Sequence, residues 1–173
     1  ILLHLFYVTR VGGDFMSGRF LAAPLLLLAL PAHAALRVFA CEPEWGALAQ
    51  ELGTRWQLRD GDEAATVLRL LAAHGLRIDV LYLLYPNPWP KPEHLMRRWH
   101  GHPVFPLLLA NARRILLRTN WGTYADEFAQ AAHWLGRAAD RQVLAPDADV
   151  LTLFERKYRS SGHARFELVS DDA

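Results

Sequence analysis

The segment that most constrains this chain is Tyr85-Pro86-Asn87-Pro88-Trp89-Pro90-Lys91, which follows directly on the apolar run Val80-Leu81-Tyr82-Leu83-Leu84. An uncharged run of β-branched, aromatic and leucine residues reads as a strand buried on both faces, as at the centre of a parallel sheet. The three prolines that follow can continue neither a strand nor a helix, so the chain must leave the sheet as a stiff loop. In an open α/β sheet, the loop at the carboxyl end of a central strand borders the ligand crevice. This places Asn87 at the sheet edge facing the crevice, with Lys91 further along the same loop.

The elements on either side support that reading. Asp60 to His74 has helical periodicity, with Asp60 or Asp62 as cap, Val67, Leu68, Leu70 and Leu71 on one face, and Gly75 as the stop. Arg77 to Leu84 is the strand, so helix and strand together make half of a βαβ unit. Beyond the loop, a short helix is expected over Glu93 to His100, ended by Gly101, and a second over Phe105 to Ala110. Arg114 to Arg118 reads as a strand, with Thr119-Asn120-Trp121 at its carboxyl end. Tyr124, Phe128, Ala131, Ala132 and Leu135 then mark a helix stopped by Gly136. Residues 137 to 150 read as a surface loop, and Thr152 to Tyr158 precede a last, edge strand over Ala164 to Val169.

Composition is that of one globular domain: 173 residues, 52% hydrophobic and 21% charged. A net charge of +1 gives no global nucleic-acid signature, and the single Cys41 excludes an internal disulfide framework. From Met16 the chain reads as an export signal, with Arg19 as the basic part, Phe20 to Leu30 as the apolar part and Ala32-His33-Ala34 as the cleavage site. The apolar part is too short for the roughly twenty residues of a spanning helix. The residues before Met16 read as upstream read-through. Ala35 to Gly53 follows as strand, Pro43-containing turn and helix, and it resembles the start of the mature periplasmic binding proteins of zinc and manganese ABC importers. No histidine and carboxylate cluster follows, so Cys41, Glu42 and Glu44 read as a core thiol and a polar turn. His94, His100 and His102 cross an expected helix end without a carboxylate partner, and no metal is expected there.

Tyr82 to Lys91, then Arg97-Arg98, then Thr119-Asn120-Trp121 with Tyr124, then Thr152-Leu153-Phe154-Glu155 form an ordered set. Their order and spacing resemble the carboxyl-terminal half of the bacterial tRNA (guanine-N7)-methyltransferases, which use S-adenosylmethionine, over residues 54 to 169. The resemblance implies an α/β fold, an incomplete doubly wound Rossmann-like methyltransferase sheet with flanking helices. It implies a role for Asn87 as the active-site residue beside the cofactor, where the family has aspartate. Lys91 matches a lysine that contacts tRNA, and Asn120 stands where the family usually has a substrate-binding aspartate. Thr152 and Glu155 match the polar contacts of a segment closing over the substrate. With the resemblance, the cations Lys91, Arg97, Arg98, Arg113, Arg114 and Arg118, interleaved with Trp89, His94, Trp99, His100 and His102, are expected to face tRNA. Without it they are an ordinary solvated surface.

Guanine N7 carries a lone pair in the ring plane, so methyl transfer from a sulfonium needs alignment and charge stabilisation rather than a base. A carboxylate accepts from guanine N1–H and the exocyclic amine and offsets the developing cation. Asparagine offers one acceptor, one donor group and no charge. Asn at both 87 and 120 therefore departs from the pattern. A glycine-rich strand-to-helix turn for the cofactor and an acidic residue for its ribose are not evident either, and Asp60 or Asp62 reads first as a helix cap. The expectation is a composite chain in three pieces, 1–34, 35–53 and 54–173. It is a methyltransferase of impaired activity, cytoplasmic by virtue of its tRNA substrate although the leader argues for export. An exported zinc- or manganese-binding fragment and a non-catalytic RNA-binding remnant are the alternatives.

Overall fold

A computed structural model describes residues 37–40, 56–58 and 61–172. The leader-like segment and the turn and helix expected over Cys41 to Gly53 lie outside the described residues. Six strands form one sheet: β1 (Arg37–Ala40), β2 (Trp56–Leu58), β3 (Ile78–Leu84), β4 (Ala112–Thr119), β5 (Asp140–Val143) and β6 (Phe166–Asp171). Their spatial order is β2-β1-β3-β4-β6-β5. The first four are parallel, and β6 runs antiparallel to both β4 and β5. Among the described residues, four α-helices accompany them: α1 (Gly61–Ala73), α2 (Phe105–Asn111), α3 (Gly122–Trp134) and α4 (Leu153–Ser160). This is an α/β, Rossmann-like arrangement.

The central strand stands where its sequence places it. β3 lies between β1 and β4, parallel to both, and Leu81, Leu83 and Leu84 are fully or almost fully buried. On β4 the period of two separates two faces. Ile115 and Leu117 point into the core shared with Val67, Leu68 and Leu71 of α1, Leu108 of α2, and Tyr124 and Phe128 of α3. On the other face Arg114, Leu116 and Arg118 stand opposite Asp171, Val169 and Glu167 of β6. That ladder alternates ion pair, apolar pair, ion pair.

Three expectations are corrected. Glu93 to His100 is not one α-helix but two 3-10 turns, Pro92–Arg97 and Trp99–Gly101, broken at Arg98, whose backbone is extended. Residues 137 to 150 are not all loop, because Asp140–Val143 forms the edge strand β5; its side chains are all exposed, so no hydrophobic alternation marks it. The last strand is consequently interior rather than an edge. β1 pairs with both β2 and β3, so residues 37–40 and 56–58 lie in one sheet with the central strand.

Candidate functional site

The last bond of the β3–β4 ladder runs from the Tyr85 N–H to the Arg118 carbonyl at 2.7 Å. The chain then turns away sharply. Tyr85 and Trp89 both adopt left-handed backbone, with φ of 50° and 45°, a conformation costing about 1–3 kcal/mol for a residue with a side chain. Between them Asn87 folds its amide back, its Oδ1 accepting from the Trp89 N–H at 3.3 Å, which is the Asx turn such residues favour. Asn87 and Lys91 are exposed. Trp89 meets the His94 ring edge-on at 5.4 Å and carries the Arg97 guanidinium 4.9 Å from its centroid.

At the end of β4, Thr119 is buried and its Oγ1 accepts from the Trp121 N–H at 3.1 Å. Asn120, half-buried, stands between them. Asn87, Lys91 and Asn120 therefore follow the carboxyl ends of two adjacent parallel strands. The chain order reverses between β1 and β3, the switch point at which open α/β sheets form their crevice.

Thr152 and Glu155 reach the same corner, but they are committed internally. Thr152 caps α4, its Oγ1 accepting from the Glu155 N–H at 3.0 Å. The Glu155 side chain has no exposure, and Oε2 accepts from the Leu151 N–H at 2.9 Å. Its other oxygen takes the Arg118 and Arg165 guanidiniums at 2.9 and 3.4 Å. Arg118 also pairs with Glu167 and donates to the Asp149 carbonyl, and Arg165 donates to the carbonyls of Ala145 and Pro146. One turn on, Tyr158 stacks on Tyr85 with centroids 5.3 Å apart. Among the described residues the buried Tyr85 hydroxyl has no hydrogen-bond partner, and burial, then the nearby Glu155 carboxylate, pushes its pKa up. The capping-box spacing of Thr152 and Glu155 is the sequence signal for this architecture.

The six cations expected to face tRNA do not share one surface. Arg98 and Arg118 are buried in ion pairs. Arg113 and Arg114 pair with Asp79 and Asp171 near the start of β4, away from the loop. Lys91 and Arg97 remain exposed at the loop, and α4 adds exposed Arg156, Lys157 and Arg159. Among the described residues no cluster of His, Cys, Asp or Glu could hold a metal, and no helix is long and apolar enough to cross a membrane.

A mixed α/β sheet, parallel through β2-β1-β3-β4, with a strained, aromatic, cationic loop at its switch point defines a Rossmann-like fold. No protein-family model matches the chain. It is similar to curated tRNA (guanine-N(7)-)-methyltransferases. The protein of Thiobacillus denitrificans is 31% identical over 73% of this chain and 60% of its own length. That of Acidovorax sp. is 30% identical over 74% and 54%. A third, from Pseudomonas savastanoi pv. phaseolicola, is 29% identical over 81% and 62%. The chain thus spans a little over half the length of these relatives. The Pseudomonas match covers about 140 residues, more than residues 54 to 169 contain, so it also takes in chain outside that stretch. A solved structure described as a putative methyltransferase from Thermoplasma acidophilum is 9% identical, with a TM-score of 0.39 over 80% of this chain and 68% of its own.

Proposed function

We propose that this chain is a methyltransferase of the tRNA (guanine-N7) type that binds S-adenosylmethionine and tRNA and works below the family's capacity. The observation that carries the reading is the Asn87–Lys91 loop at the switch point of a parallel sheet, in a chain similar to proteins of that name. The loop ends after β3 and β4 carry groups for the substrate side of the reaction. S-adenosylmethionine supplies an electrophilic methyl group when bound. The chain's own residues then align the acceptor: Asn87 at the mouth of the crevice, Asn120 presenting an amide to the base edge, and Lys91 and Arg97 meeting phosphates. Thr152 and Glu155 hold the loop before α4 in place, and so act on the substrate through that loop.

On the cofactor side the fit is partial. No glycine-rich turn is present in the sequence, although Glu42 and Asp60 each follow the last residue of a parallel strand, Ala40 and Leu58, by two positions. Those positions suit the acidic residue that binds ribose hydroxyls. A tRNA substrate places the activity in the cytoplasm.

Two amides where charge develops should limit the rate. Asn87→Asp keeps the acceptor for the Trp89 N–H and adds a carboxylate, so methyl incorporation into tRNA from labelled S-adenosylmethionine should rise about tenfold or more. The melting temperature should stay within a degree or two. An unchanged or lower rate in a folded Asn87→Asp protein would refute the role given to Asn87. Saturable tRNA binding with no methyl transfer by either protein would favour the RNA-binding remnant.

A further inference from the structure

Arg98 breaks the helical turns that follow the loop and buries its side chain, leaving 6% of the residue exposed. Its guanidinium is shared among three elements. Nε and Nη2 donate to the Trp89 carbonyl at 3.2 and 3.0 Å, and Nη2 also reaches the Pro90 carbonyl at 3.5 Å. Nη1 donates to Glu127 of α3, and the guanidinium lies 5.2 Å from the centroid of Trp121. The neighbouring residues fasten the same segment to α3. The Trp99 N–H donates to the Tyr124 hydroxyl at 3.1 Å, and His100 Nε2 bonds Glu127 at 3.0 Å. The loops that carry Asn87 and Asn120 are therefore both gripped by one side chain that is not itself open to substrate.

We propose that Arg98 is a positioning residue that fixes the loop after β3 against the segment after β4, and so sets Asn87 relative to Asn120. This rests on the methyltransferase reading for its consequence in catalysis, but not for its geometry. A planar fork reaches two carbonyls and a carboxylate at once, whereas an ammonium can keep Glu127 but not the rest. Arg98 is thus turned inward, not towards tRNA as its place among the loop cations implies.

The test compares the full chain with Arg98→Lys and Arg98→Gln by hydrogen exchange, tRNA binding and methyl transfer. Both variants should exchange about tenfold faster in peptides holding the Asn87, Trp89 and Lys91 amides and in those covering 120–123. Peptides from β3 and β4 should be unchanged. The tRNA affinity should stay within about threefold with the same salt slope, while kcat for methyl transfer falls about tenfold or more and KM moves little. Unchanged loop exchange, or loop and sheet exchanging faster together, would overturn the proposal. So would a salt slope reduced by about one in Arg98→Gln, the mark of a lost phosphate contact. If the wild-type chain transfers no methyl group, the methyltransferase reading fails while exchange and binding still decide the role of Arg98.

Discussion

The corner after β3 joins strained backbone to an uncharged side chain, Asn87, where a carboxylate is expected. Two non-glycine residues in left-handed backbone flank an asparagine whose side chain completes the turn. The loop persists because prolines limit its unfolded freedom and because Arg98 and the Tyr158 ring hold it from either side. Ionisation at the clamp is linked to pH. Burial lowers the pKa of His100 below 6.5, against the pull of Glu127. Burial works against the Glu127 charge, but hydrogen bonds from Arg98 and His100 outweigh it and hold the carboxyl below its ordinary 4.5. For His100 the unfolded chain binds the proton first, so its contribution to stability is complete above pH 6.5 and falls as pH drops towards the folded pKa. The Glu127 contribution is lost separately, at lower pH. Melting curves of wild type and His100→Gln between pH 7.5 and 5 should therefore diverge, the wild type losing up to about 1.4 kcal/mol more per pH unit within the His100 window. Parallel curves would show that His100 is not held neutral by the fold.

At the scale of elements, α4 is a short helix of low intrinsic stability tied down at its first turn. Eight residues form few helical bonds, so the Thr152 cap and the Glu155 carboxylate decide whether it forms in place. Thr152→Ala should cost about 1 kcal/mol. Glu155→Ala leaves two buried guanidiniums without a carboxylate between them and should cost about 3–5 kcal/mol. Denaturant titration reads both, and a cost below 1 kcal/mol for Glu155→Ala would mean the cluster relaxes into solvent. Thr152 and Glu155 are visible in the sequence as a pair, but not their use: a Thr-x-x-Glu spacing fits a capping box and a substrate contact alike. β5 was invisible for a different reason, since an all-exposed edge strand has no core face to impose alternation. The 3-10 turns escaped because the break at Arg98 comes from its tertiary contacts and not from local propensity.

At the scale of the whole molecule, the buried strand before the proline loop was legible because both its neighbours and both its faces demand apolar residues. Helical periodicity marked α1 and α3, whereas only the apolar middle of β4, Arg114 to Arg118 of Ala112–Thr119, was legible. The place of β1 was not legible, because four residues pair through backbone and their local sequence fits many folds. Its pairing with β3 puts residues 37–40 in one sheet with the strand that leads to the Asn87 loop, and creates the topological switch point between β1 and β3. The most direct test of the account is isothermal titration of S-adenosylmethionine into the full chain, with folding verified by circular dichroism. Saturable one-to-one binding is expected. A folded protein that takes up no S-adenosylmethionine would contradict it.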